Sequence, residues 1–575
     1  MSVAPPSFMP PLVGALGLAI GVSLTIQRLK IPYTVALAGA GIIVGSIGAL
    51  VFDTLDTSGA GALSADLILF LILPPLLFEG ATKMDARELK RNWRTVSMLA
   101  VPSVILNTVI IGGIIWLLVW QGDGSRLMYA LLLGAILAPT DPVSVLATFK
   151  EAGAPHRLAT IVEGEALFND GTGVVVFSVL LGLVLEAGQS AGITTTVLTG
   201  IGQFLLTVLV GAAVGAGLGM VANSALDWTD DHLVEVTISV ATAFGAFLVA
   251  EQLHGSGVIA VVIAGLMVGS YGKIEKMTPQ ARVALDGFWE QVAFVINSVL
   301  FILLGFEVIQ RVEAVGQRAV MLALASIIAA SIARLVIYPK MRLTPHTGEE
   351  AIPNSWHHIV YLSGLRGSVS LALLLLVANI SQHPEPGTTP FPPEIYSDIF
   401  VMVASVVLFT LLVQGPMISW LIKKLGIIHG SDGRSEEFEE ALATIVADEA
   451  ALRELARLED AGLASKGAMD RLRPEARGRL LLAQGKLNEM ISDPVFASRL
   501  SARTEARVLA AAQSALEDAE IVGLISGHAG SDMRWLINTD LALLLRSEEA
   551  GGEVPLPRAK VAKTDPLMTL TESDS

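Results

Sequence analysis

The sequence predicts an all-α integral membrane protein of about thirteen spanning helices, followed by a small helical domain. Three observations carry this expectation. The 575 residues are 53% hydrophobic and only 16% charged, with a mean hydropathy of +0.63, whereas a soluble domain carries about 25% charge. The apolar residues come in long runs, and runs of about 18 or more are the length that crosses a bilayer. These runs stop at Leu425, and a stretch rich in Glu, Ala and Leu follows. The chain has no cysteine, which excludes a disulfide scaffold and any Cys-ligated zinc or iron–sulfur site.

In chain order the expected spans are 9–27, 31–51, 64–81, 95–120, 128–148, 158–186, 196–224, 233–252, 256–271, 284–309, 317–338, 356–378 and 396–422. The first lacks a basic n-region and a small-residue cleavage site, so it reads as a retained span and not a signal peptide. Gly211, Gly215, Gly217 and Gly219 in the seventh suit close helix approach. Loop charge sets the orientation. Sixteen Lys and Arg fall on one side, and only Arg126, Arg311 and Arg318 on the other. The positive-inside bias places the amino terminus outside and the carboxyl end in the cytoplasm.

The net charge of −16 is unevenly spread. Up to Leu425 there are 21 Lys and Arg against 28 Asp and Glu, and after it 17 against 26. Residues 430–548 read as an acidic cytoplasmic helical domain, with helical stretches near 435–460, 474–491, 498–525 and 532–547, broken at Pro474, Pro494 and Gly527–Gly530. Residues 549–575 read as a disordered tail. An acidic domain is no partner for nucleic acid or anionic lipid. GxxxxGK[ST], HExxH and G-x-S-x-G are all absent, so neither ATP hydrolysis nor enzyme catalysis is expected on this chain, and no cofactor is called for.

Among the charges that fall within the expected spans, five stand out: Glu79, Asp141, Glu165, Asp170 and Arg366. A charge in the hydrocarbon region costs about 2.5–3.5 kcal/mol on the insertion scale, and such residues mark ion paths or paired sites. Asp141 lies in Ala138-Pro139-Thr140-Asp141-Pro142. Pro142 has no N–H, and the residue before a proline is pushed out of helical geometry. The span is therefore expected to break at Thr140-Asp141, leaving carbonyls and half-helix ends free to face a cation.

In Glu163-Gly164-Glu165-Ala166-Leu167-Phe168-Asn169-Asp170, helical spacing puts Glu165 and Asn169 on one face. Asp170 is the deepest acid, since no further charge follows until Glu186. A carboxylate withdrawn from water is costly to leave charged and alone, so it holds either a proton or a cation. Arg366, in Leu362-Ser363-Gly364-Leu365-Arg366-Gly367-Ser368, marks a second expected break. Two interrupted helices, one in each half, are the sequence pointer to a transporter site at an inverted-repeat interface. Arg366 cannot deprotonate and needs a partner, for which Glu165 is the candidate, as a structural ion pair. Glu79 closes Leu73-Pro74-Pro75-Leu76-Leu77-Phe78-Glu79, near the cytoplasmic end of its span, where it could simply reach water.

Leu73–Ala81, Thr140-Asp141-Pro142, Glu163–Asp170 and Gly364–Gly367, taken together, resemble the NhaP-type sodium/proton antiporters, over roughly residues 10–425. The resemblance implies an NhaA-like inverted-repeat fold of thirteen helices. It implies a moving core of about 95–186 and 317–422, with the other spans forming a dimer interface within residues 1–425. It implies exchange of Na+ or Li+ for H+ in pH homeostasis, in a homodimer of a bacterial inner membrane. Asp170 would be the carboxylate shared by cation and proton. Asp141 and the Thr140 carbonyl would shape the Na+ site, and Glu79 would join it. Glu165 and Arg366 would be the core's ion pair, and Asn169 would mark the electroneutral branch. One position departs: the family commonly has Ser where this chain has Ala166, which offers no oxygen. A potassium/proton antiporter of the same fold therefore stays open. A transporter-like sensor is a further alternative, against which the intact acid pair argues.

Overall fold

The computed structural model describes residues 9–26, 33–51, 67–152, 154–185, 193–229, 231–342, 352–382, 391–425, 433–460 and 466–492. The described residues form two compact units, one of the residues up to 429 and one from 430 onward. The first unit contains α1 (Met9–Ile26), α2 (Tyr33–Val51), α3 (Leu73–Lys83), α4 (Ala86–Leu118), α5 (Leu127–Ile136), α6 (Val143–Ala152), α7 (His156–Leu185), α8 (Ile193–Leu226), α9 (His232–Gln252) and α10 (Gly257–Met267). It continues with α11 (Pro279–Val315), α12 (Arg318–Arg334), α13 (Ile337–Arg342), α14 (Asn354–Leu362), α15 (Ser368–Gln382), α16 (Pro393–Phe409) and α17 (Gly415–Lys424). Three turns widen to π geometry, at Leu67–Ile72, Val268–Lys276 and Thr410–Gln414.

No strand occurs among the described residues, as a lipid solvent requires: a helix satisfies its own backbone groups where no water can. Among them seven helices are long and apolar enough to cross a membrane, including Glu88–Leu118, Arg157–Leu185 and Pro393–Ile422. Their outer faces remain apolar. Leu205, Leu206, Leu209 and Val221 of α8 and Val320, Leu324 and Ile328 of α12 are all exposed, a surface that suits acyl chains and not water. Inside, α4, α5, α7, α12 and α16 pack on one another, and α2, α3, α8, α9, α10 and α11 form a second group. The two groups meet where α7 packs on α3 and α10, and where α11 packs on α15 and α16.

Two of the expected spans are broken by five or more non-helical residues, whereas 317–338 is divided only by a two-residue turn at 335–336 between α12 and α13. The run 128–148 divides into α5 and α6, and the run 356–378 into α14 and α15. Residues 137–142 and 363–367 are non-helical. Both interruptions lie where proline or glycine removes the reason to stay helical.

The second unit contains α18 (Gly433–Asp460) and α19 (Lys466–Ile491), which pack together. Pro474 was expected to break a helix, but α19 runs through it. A proline removes one i→i−4 bond, and here the pairing with α18 compensates: Arg479 donates to both Asp448 oxygens, from Nη2 at 2.7 Å and from Nε at 3.1 and 3.2 Å. That guanidinium holds the Asp448 carboxyl below its ordinary value. The expected stretches 498–525 and 532–547, and the tail, lie outside the described residues.

Candidate ion-binding site

The two breaks cross. The Asp141 N–H donates to the Leu365 carbonyl at 2.7 Å, which ties one break to the other. Arg366 donates from Nη1 to the Ala138 carbonyl at 2.6 Å and to the Pro139 carbonyl at 2.9 Å. These oxygens follow the end of α5, where backbone carbonyls lack intrahelical donors and carry partial negative charge. A fixed cation there replaces the missing bonds. The Arg366 N–H is itself held by Thr410 Oγ1 at 3.1 Å, from the π turn after α16. On the other side of the break, Asp141 Oδ1 accepts from the Val143 N–H at 2.9 Å and so caps α6.

The second break requires glycine. A Cβ on Gly367 would overlap the Asp141 carboxylate, and one on Gly364 would overlap the Arg334 guanidinium. Gly367→Ala is therefore expected to push the two breaks apart. It should abolish transport and lower stability by about 1–3 kcal/mol, the usual cost of overpacking. Melting in detergent and flux in proteoliposomes check both, and an active variant with unchanged melting would contradict the contact.

The ion pair differs from the sequence expectation. Glu165 is bound by Arg334, not Arg366. Arg334 Nη1 reaches Glu165 Oε1 at 2.5 Å, and Nη2 reaches Oε2 at 3.0 Å. The two side chains are 5% and 1% exposed, and Arg334 Nη2 also donates to the Val360 carbonyl at 2.9 Å. A buried two-point pair of this kind satisfies both charges at once. Arg334 ends α12, where a long basic side chain ordinarily reaches water, and the fold instead turns it inward. Its available signal was the pair of basic residues, Arg334 and Lys340, closing one apolar run. Lys340 is buried too and donates to Ser103 at 2.8 Å.

Asn169, fully buried, donates from Nδ2 to Glu165 Oε1 at 3.1 Å and to Thr140 Oγ1 at 3.2 Å. It joins the ion pair to the first break. Asp170, one residue on, points elsewhere. It lines a cavity of about 390 Å³ together with Glu79, Thr140 and Asp141, and the Thr140 N–H donates to its carboxylate. The structure thus gathers Glu79, Thr140, Asp141 and Asp170 around one space. It leaves Asn169, Glu165 and Arg366 outside the lining, as the frame behind it. Glu79 meets Lys83 at 2.5 Å. Lys83 and Lys150, both exposed, mark the open end. Glu163, Glu290, Asn297, Ser368 and Ser370 also line the cavity and were not singled out in the sequence. Glu290 and Asn297 come from α11, seven residues apart and hence on one helix face. The available signal was Glu290 itself, an acid inside the expected span 284–309, with Asn297 two turns along the same face.

This arrangement can admit a cation from one side to two carboxylates and several oxygens at a helix break. Residues 15–424 match the model of the sodium/hydrogen exchanger transmembrane family. The chain belongs to that family. Among its relatives, the Na(+)/H(+) antiporter ApNhaP of Aphanothece halophytica is 38% identical over 416 residues, covering 72% of this chain and 73% of that protein. The Na(+)/H(+) antiporter NhaP of Pseudomonas aeruginosa is 32% identical, covering 72% and 91%. Similarity to the Na(+)/H(+) antiporter NhaS2 of a Synechocystis strain extends over 91% of both chains at 29% identity. The solved structure of the sodium proton antiporter MjNhaP1 from Methanocaldococcus jannaschii at pH 8 superposes with a TM-score of 0.61, over 73% of this chain and 99% of that one, at 22% identity. This exchanger therefore has the NhaP fold. In it Ala166 is buried on α7 and does not line the cavity.

Proposed function

We propose that this chain is an electroneutral antiporter exchanging Na+ or Li+ for H+ by alternating access. It works as a homodimer in a bacterial inner membrane, with the amino terminus outside and the second unit in the cytoplasm. The observation that carries the reading is Asp170 beside Asp141 in one cavity at the crossed breaks. The names of the relatives agree with it. The cavity opens beside Lys83 and Lys150, which belong to the side rich in Lys and Arg. By the positive-inside bias this is an inward-facing state.

In the proposed cycle Asp170 holds a proton or a cation, never neither, because leaving it charged and unpaired at that depth is costly. Asp141 keeps one protonation state: two backbone N–H groups, of Val143 and Ser368, fix its carboxylate at the start of the second half-helices. Asn169 is neutral at every pH and is committed to Glu165 and Thr140. One group therefore cycles, and one Na+ replaces one H+. Na+-driven proton flux in proteoliposomes should be indifferent to a clamped membrane potential. A flux that rises systematically with potential, or a sustained current, contradicts the one-carboxylate cycle. K+ is the second reading, raised by Ala166 where the family commonly has Ser, and the absence of Ala166 from the cavity lining counts against it. The same vesicles separate the two, since Na+ and Li+ should drive proton flux where K+ does not.

A further inference from the structure

The carboxylates of the site are too few and too occupied to surround a cation. Among the described residues no three Asp, Glu or His side chains converge as a ligand set. Asp141 Oδ1 already accepts from Val143, and Glu79 is ion-paired with Lys83. The Thr140 hydroxyl accepts from Asn169, and the carbonyls of Ala138 and Pro139 accept from Arg366. A hard cation is held by several oxygens whose lone pairs are free. The rest of the shell has to come from oxygens that no protein donor has taken.

Besides the carboxylates of Glu163 and Glu290, two neutral oxygens of this kind line the cavity. Asn297 Oδ1 and Ser370 Oγ are buried and without a hydrogen-bond partner. Buried polar atoms in that condition are rare and cost free energy unless a ligand or water meets them. Ser370 is 0% exposed. Helical serines normally donate to the carbonyl four residues back, as Ser46, Ser178, Ser331 and Ser397 do here. Ser370 is the third residue of α15, and the residue four back, Arg366, lies in the break. The break thus denies this hydroxyl its usual acceptor and leaves its lone pairs untaken in a residue that lines the cavity. Asn297 faces the same space from α11, opposite the crossed breaks.

The geometry points to Asn297 Oδ1 and Ser370 Oγ as neutral oxygen ligands of the transported cation, which complete the shell begun by Asp170 and Asp141 and set its selectivity. The assignment rests on the exchange reading above. Na+ gives up more hydration energy than K+ on entering the site, so it depends more on oxygens that replace lost water beside the charged carboxylates, and both oxygens favour Na+ over K+.

The test uses the full chain, reconstituted for flux and in detergent for melting. Ser370→Ala removes one oxygen and little else. Asn297→Leu keeps the volume and removes the amide. Each should raise the half-saturating Na+ concentration about tenfold, as expected for loss of one polar contact to a charge, and raise that for K+ less. The proton dependence at saturating Na+ should not move, and Ser370→Thr, which keeps the hydroxyl, should stay near wild type. Folded variants with wild-type half-saturation, or with only a lower maximal rate, would overturn the assignment. Should Asn297→Leu fail to accumulate, the single-atom change at Ser370 decides. Absence of cation-driven flux in the wild type would instead sink the exchange reading. Na+-dependent stabilisation against heating then reads the site directly. Loss of that stabilisation in Ser370→Ala upholds the ligand assignment, and its absence from the wild type, or its persistence in the variant, overturns it.

Discussion

Asp170→Asn abolishes Na+-driven proton flux while the protein still folds and inserts. Asparagine keeps the shape of the side chain and one oxygen, but it has no proton to release near neutral pH and no charge to hold Na+. The coupled cycle then has nothing to exchange, so the expected loss is complete and not partial. The fold should be indifferent or slightly favoured, because a neutral amide is cheaper than a carboxylate in an apolar span. Asp170 lines the cavity and holds the first break only through the Thr140 N–H, which the asparagine oxygen can still accept, so the crossing should not loosen. Dissipation of a pH gradient in proteoliposomes measures the flux, and melting in detergent measures the fold. Normal flux in this variant would remove Asp170 from the site. Asp141→Asn is expected to be harsher on structure, because the carboxylate accepts from the N–H groups of both Val143 and Ser368 and asparagine keeps only one acceptor oxygen.

Breaking the pair between Glu165 and Arg334 has the second large effect. Each side chain is almost fully buried, and removal of one partner leaves a charge with no compensation, at about 3–5 kcal/mol. Glu165→Gln should cost more than Arg334→Gln. Glu165 also acts electrostatically on Lys340 and Arg366, so its neutralisation leaves several cations facing one another. The double substitution at 165 and 334 should cost clearly less than the sum of the singles, whereas 165 with 366 should come closer to additivity. Thermal or denaturant unfolding of the four variants in each cycle supplies the comparison. Stronger coupling at 366 than at 334 would restore the pairing expected from the sequence.

The difference between those two cycles marks the limit of sequence reading here. The long apolar runs, the prolines around Asp141 and the glycines around Arg366 each act within a few residues, through backbone geometry and the cost of exposing polar groups to lipid. Such local causes determined an all-helical membrane protein with two interrupted helices, and they located Asp141 and Asp170 as acids at depth. They also predicted the shared face of Glu165 and Asn169, which the bond between them bears out. Pairing between helices has no local cause. Glu165 and Arg334 are 169 positions apart, and Arg366 looked the better partner because its flanking glycines announced a break while Arg334 resembled an ordinary helix end. Packing α12 against α4 and α16 brings Arg334 to Glu165, and crossing the breaks brings Arg366 to the carbonyls of Ala138 and Pro139. The same crossing leaves Ser370 without an acceptor, and the packing of α11 places Asn297 in the lining of the same cavity. Neither residue type is unusual in a spanning helix, so only the tertiary structure, by deciding which donors reach which oxygens, distinguishes them from filler.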